Sequence, residues 1–173
     1  MKYKIDLTEE DYVRFNIFYM AHSKAGKRGV NMARIVFPAL AAVILMAFFA
    51  AGAEPGLIAV EAVLFAAAAG GWLLYAPKAV ERAIRKQISR MKADGKLPFH
   101  QNAEIEFGDV AIVEKNEQEE IRVNYQDIEN IYPDSGYLYI FYSAVQAFIV
   151  PYRCLGEDRE RVTEYIVNKK KIS

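Results

Sequence analysis

Residues that carry chemistry are scarce in this chain. It holds one cysteine, Cys154, and two histidines, His22 and His100, which fall in different segments. A lone thiol excludes an intramolecular disulfide framework and suits a reducing compartment. No Cys/His spacing matches a metal site. No glycine-rich phosphate loop is present, because Ala69-Gly70-Gly71 lies inside an apolar run. Carboxylates are plentiful, yet no sequence-local pair marks acid–base work. The expectation is therefore no enzyme, no cofactor and no metal. Nucleic acid is disfavoured as a partner, since residues 101–173 carry 8 basic against 14 acidic side chains.

Charge and small polar groups are missing from one region above all. The runs IVFPALAAVILMAFFAAGA (35–53) and LIAVEAVLFAAAAGGWLLYA (57–76) contain no serine, threonine, asparagine or glutamine, and Glu61 is their only charged residue. Glu54-Pro55-Gly56 separates them. Each run is close to the ~20 residues that cross a hydrocarbon core of roughly 30 Å at about 1.5 Å per residue. Two membrane-spanning helices joined by a tight turn are expected. The first run starts too late for a secretory leader and has no small-residue cleavage site.

Basic residues fix the expected orientation. Lys24, Lys27, Arg28 and Arg34 precede the first span, Lys78, Arg82, Arg85, Lys86, Arg90 and Lys92 follow the second, and the turn has none. The positive-inside rule then gives a multi-pass protein of the cell membrane with both termini cytoplasmic. Lacking polar side chains, the two spans are expected to associate through small residues. Ala62, Ala66 and Gly70 recur every fourth position on the second span, with Ala67 and Gly71 alongside, and Ala47 and Ala51 offer a facing seam. Glu61, an intramembrane acid one turn from the outer turn, reads either as a carboxylate snorkelling to the headgroups or as a functional or oligomer contact. Trp72 and Tyr75 read as interfacial anchors.

Around the hairpin the chain divides into an N-terminal segment (1–34), a basic juxtamembrane helix (77–100) and a C-terminal domain (101–173). In the first, KYKID alternates like a strand. Thr8 and Asp11 form an acidic variant of the capping box, opening a helix over Glu9–His22. Its aromatic-aliphatic face suits either the membrane interface or the soluble domain. Ser23 to Asn31 reads as a flexible basic linker, and Pro38 as a residue of the first span's opening turns. Residues 77–93 continue the second span as a helix with a basic face, stopped by Asp94 to Pro98. From Gln101 the texture becomes short alternating runs: 103–107, 110–115, 120–125, 128–132, 137–143 and 146–152. YLYIFYS is apolar on both faces, so both should be covered. A helix from Gly156 to about Asn168 follows. The expected fold class is an α+β membrane protein, with a two-helix transmembrane hairpin and a small antiparallel sheet or open barrel closed by a C-terminal helix.

The run IRVNYQDIENIYPDSGYLYIFYSAVQAFIVPYRCLGEDRERVTEYI resembles the C-terminal domain of the YcxB-like bacterial membrane proteins. Tyr125, Asp127 and Ile128 match that family's Y-x-D-I segment. Val150, Pro151 and Arg153 match its strand end, and Glu157–Arg161 its acidic helix start. Cys154-Leu155 departs from the expected small residue and aromatic. The resemblance implies a pleckstrin-homology-like (PH-like) fold of seven strands and a helix, one strand more than the six counted. KYKID is accordingly expected to supply the seventh, making the hairpin an insertion between the first and second strands. The resemblance implies no activity. What remains by elimination is a membrane-tethered scaffold or interaction module, with the lipid bilayer and an unidentified protein as partners and a homo-oligomer left open. The alternative is a lipid-headgroup or membrane-state sensor, for which Arg122 and Arg153 would have to converge.

Overall fold

The structure, a computed structural model, describes residues 1–97 and 99–172. Pro98, read above as the end of a helix stop, lies outside them. The described residues form β1 (Lys2–Asp6), α1 (Glu9–His22), α2 (Lys24–Ala50), α3 (Pro55–Ala93), β2 (Asn102–Phe107), β3 (Ala111–Lys115), β4 (Glu120–Asn124), β5 (Asn130–Pro133), β6 (Tyr137–Phe141), β7 (Ala147–Pro151), α4 (Tyr152–Leu155) and α5 (Arg159–Ile172). They make two compact units, one of residues 1–16 with the chain from 88 onward, the other of residues 17–87.

In the first unit KYKID does become a strand of the domain. β1 pairs antiparallel with β2, from Lys2 opposite Glu106 to Asp6 opposite Asn102. Its alternation explains the register: Ile5 is buried while Lys2, Lys4 and Asp6 are exposed, and a one-residue slip would turn Ile5 to solvent. Lys2 reaches Glu104 at 3.4 Å and Glu106 at 3.2 Å on the neighbouring strand. The whole of α1 to α3 is thus inserted between two adjacent strands.

The strands form two sheets, β1-β2-β3-β4 and β5-β6-β7, both antiparallel. The sheet or open barrel read from the sequence is therefore split. A turn of 3-10 helix at Tyr125–Asp127 interrupts the chain between β4 and β5, and no ladder joins the two sheets among the described residues. Leu138, Tyr139 and Ile140 on β6 are fully buried, so both faces of that strand are covered, as its composition demands. Phe15 of α1 helps to cover them, with its ring 5.7 Å from Tyr139 and 5.8 Å from Phe141. Together with buried Val13 this decides between the two readings of α1: its first half packs on the folded domain. Burying one such phenylalanine contributes about 2–3 kcal/mol. Val162 and Ile166 of α5 complete the core.

In the second unit the basic linker proves to be helix, because α2 begins at Lys24. Ser23 caps it with extended backbone, and its Oγ accepts the Gly26 N–H at 2.8 Å. Gly26 is needed for a second reason. A Cβ there would lie 2.3 Å from the Met20 Cα, so the end of α1 and the start of α2 meet backbone to backbone. With the helix starting this early, Pro38 stands in its interior rather than in its opening turns. At the other end Ala51 caps α2, and Gly52 takes φ +73° to turn the chain. Pro55 then opens α3, which runs unbroken through Pro77 to Ala93. The second run and the juxtamembrane helix are one element, as expected. α2 and α3 are long and apolar enough to cross a membrane, and their large apolar side chains stand exposed, Phe49 at 76% and Leu74 at 81%.

Candidate functional site

The one strongly buried charge among the described residues is Asp11, 2% exposed. Its capping role is as read: Oδ2 accepts the Thr8 N–H at 2.7 Å and the Thr8 hydroxyl at 2.8 Å, while Thr8 Oγ1 accepts the Asp11 N–H at 3.3 Å. No local pattern hints at what else Asp11 holds. Tyr137 of β6 donates its hydroxyl to Oδ1 at 2.7 Å. Arg153, brought round by the single turn of α4, forks onto both oxygens at 2.7 and 2.5 Å and also donates to the Asp6 carbonyl at 2.6 Å. Burial works against the charge, but the Arg153, Thr8 and Tyr137 hydrogen bonds outweigh it and hold the carboxyl at about 2. Burial, with the bond to Asp11, pushes the Tyr137 hydroxyl up to about 12. A carboxylate saturated by five donors has no free lone pair for a substrate proton. The cluster ties β1, α1, β6 and α4 together.

A second cluster gathers at the β2–β3 turn. The hydroxyls of Tyr125 and Tyr165 both donate to the Gly108 carbonyl at 2.9 Å. Their rings stand edge to face, 6.4 Å apart. Lys169 reaches Asp109 at 3.3 Å beside them. Burial, then the neighbouring Tyr165, raises the Tyr125 pKa far above its ordinary value. Tyr165 thus ties α5 to the β2–β3 turn, with Tyr125 bonded to the same carbonyl.

The family-motif positions are therefore brought to two places. Tyr125 lies in the Gly108 cluster, where Asp127 accepts from Asn124 at 3.2 Å and Ile128 is buried in the core nearby in sequence. Pro151 ends β7 and sets up α4, which delivers Arg153 to Asp11. Of the two guanidiniums that a headgroup site on this domain would need, Arg153 is already bound to Asp11, and Arg122 is exposed on β4.

The hairpin positions need correction. Ala47, Ala51, Ala66 and Gly70 are exposed, only Ala62 is partly covered, and a Cβ at Gly70 would meet nothing within 4 Å. The two helix backbones do not run in close contact, so the small-residue seams do not meet within the hairpin. Larger groups hold it instead. The Trp72 indole donates to the Ala33 carbonyl at 2.8 Å, and Phe37 packs 5.9 Å from the Trp72 ring. The buried alanines are Ala41 and Ala76, nearer that end. Trp72 is thus an interhelical tie, not merely an anchor. Glu61 is half-buried near the start of α3.

Comparison with curated proteins and with solved structures gives no match. The family comparison does: residues 107–166, from the last residue of β2 into α5, match the model of the YcxB-like protein family, and the resemblance read from the sequence holds over that stretch.

Proposed function

We propose that the chain is a membrane-tethered interaction module, in which α2 and α3 span a bilayer and hold a PH-like domain at its cytoplasmic face for a protein partner. The observation that carries this is the exposure of the two apolar helices. The most apolar window of α2 is 6% buried and that of α3 is 0% buried, whereas a core helix of a soluble protein hides its apolar residues. Hydrocarbon is the solvent that suits such a surface. The strand pairing adds an independent argument. β1 and β2 lie on either side of the hairpin in sequence, so their ladder requires both ends of the hairpin on the same side of any membrane it enters. Two spans satisfy that, and one would not. The basic residues at those ends favour the cytoplasmic side. Seven strands in groups of four and three, followed by a helix, agree with the PH-like count implied by the family resemblance.

Alkaline extraction of membranes tests the tether: the protein should stay in the pellet and leave it only with detergent. Topology follows from thiol labelling of intact cells. In a Cys154→Ser background, Ala53→Cys should react with an impermeant maleimide, while Cys154 in the parent chain should react only after lysis. Cross-linking in native membranes should capture a protein partner on the domain. A lipid-sensing role is the second reading, and the feature that favours it lies in the helical unit.

A further inference from the structure

The helical unit contains a crevice of about 400 Å³, formed by the end of α1, the start of α2 and the middle of α3. That is within the roughly 300–1,000 Å³ of small-molecule sites. Its walls are apolar, with Ile17, Met20 and Ile84 among them, and three cations line it: Lys27, Arg34 and Lys78. Among the described residues none of the three has a carboxylate within ion-pair distance. The one acid in the lining, Glu81, is held by Arg85 at 3.0 Å. The crevice therefore presents uncompensated positive charge beside apolar surface. Its position in the chain matters equally. Arg34 is the last charge before the apolar run of α2, and Lys78 the first after that of α3. Lys27 follows on the same face of α2, seven residues or about 10 Å along the axis.

We infer that this crevice binds an anionic glycerophospholipid of the leaflet at which the basic residues lie. The phosphate would meet Arg34 and Lys78 at the edge of the apolar zone, with Lys27 available to the outer part of the headgroup. Basic pockets between membrane helices have this chemistry, and a zwitterionic headgroup brings its own cation along with the phosphate, so it leaves the net positive charge of the crevice unbalanced. The inference rests on the membrane reading above and extends it from tethering to recognition of a lipid class. Arg153, which is bound to Asp11, is not among the lining residues of the crevice.

The test is native mass spectrometry of the full chain in mild detergent, titrated with phosphatidylglycerol or with phosphatidylcholine. One saturable phosphatidylglycerol adduct is expected, with phosphatidylcholine binding much more weakly. Replacing Lys27, Arg34 and Lys78 by glutamine should weaken it on the order of a hundredfold, equivalent to about 1 kcal/mol per cation. Replacing Lys24, Arg28 and Lys86, which do not line the crevice, should change it less than about twofold. The charge-retaining set Lys27→Arg, Arg34→Lys and Lys78→Arg should keep binding and thereby exclude misfolding as the cause. Equal loss in both glutamine sets, or equal binding of the two lipids, would overturn the inference. So would displacement by glycerol phosphate at concentrations matching the lipid, which would make the ligand a soluble phosphate. A chain that is monodisperse without detergent would refute the membrane reading as well, whereas one that needs detergent but ignores lipid charge refutes only this inference.

Discussion

Removing Arg153 should destabilise the domain through the carboxylate it leaves behind. Asp11 is 2% exposed and Arg153 about half exposed, so Arg153→Leu strands a buried charge while losing a guanidinium that water can solvate. Breaking a buried pair from one side costs about 3–5 kcal/mol. The exposed outer face of the pair argues for the lower end, about 3 kcal/mol. Proton linkage gives a second route to the magnitude. The Asp11 carboxyl sits at about 2 against an ordinary 3.8, and nearly two pKa units at about 1.4 kcal/mol each amount to roughly 2.5 kcal/mol. Because the folded value is depressed, this stability is fully present above about pH 4 and disappears as the pH falls towards 2. The assay is chemical denaturation of the full chain in detergent, followed by tyrosine near-ultraviolet dichroism between neutral and acid pH. Asp11→Asn should flatten the wild-type decline in the pH 4–2 window, and the double variant should recover part of the Arg153→Leu loss. A coupling energy below about 0.5 kcal/mol, or identical acid profiles for wild type and Asp11→Asn, would refute the idea that this pair locks the domain.

Four further outcomes follow from the packing. Ile5→Ala should cost about 2–4 kcal/mol in the same denaturation, since Ile5 is a buried member of the first sheet; a change under about 0.5 kcal/mol would deny β1 its place. Tyr125→Phe and Tyr165→Phe should each cost about 1 kcal/mol, and together more than the sum, because only the pair leaves the Gly108 carbonyl with neither hydroxyl. Gly26→Ala should lower the melting temperature of the helical unit by overpacking worth about 1–3 kcal/mol, read from far-ultraviolet dichroism, while Gly29→Ala, with only the Met20 methyl nearby at 3.5 Å, serves as the mild control. Ala66→Leu should leave the melting profile unchanged, as that position is exposed; a clear loss would restore the small-residue seam.

Local pattern made much of the fold legible. Strand positions in the C-terminal domain followed from period-two alternation, and the Thr8–Asp11 box marked the start of α1 because capping involves residues three apart. Counting strands against a family pattern placed KYKID in the first sheet, although about a hundred residues separate it from β2. The failures have a common cause. Ser23–Asn31 read as a linker because two glycines and three charges suggest flexibility. Their actual use, a capped helix start with a glycine seated against the Met20 backbone, depends on where α1 ends. The alanine seams failed for a related reason: small residues permit close packing but do not require it. A single indole reaching the Ala33 carbonyl sets where α2 and α3 meet, and no periodicity announces one hydrogen bond.

The clusters of the domain show most clearly what a sequence withholds. Arg153 stood out by resemblance and Asp11 by capping, yet nothing joined them, because they lie 142 residues apart with the hairpin between. The structure gives both a structural use. Tyr125 shares the Gly108 carbonyl with Tyr165 of α5, Ile128 is buried in the core, and Pro151 leads into α4, which brings Arg153 to Asp11 of α1 and the Asp6 carbonyl of β1, so these motif positions help to close the domain. Recognition has to be sought where charge is left uncompensated. On the described chain the clearest such place is the Lys27–Arg34–Lys78 crevice, formed by the insertion. A phosphatidylglycerol adduct lost with those three residues but kept in Arg153→Leu would separate lipid recognition from domain closure. Loss in both variants would mean that the crevice depends on the closed domain, and that the two units act as one.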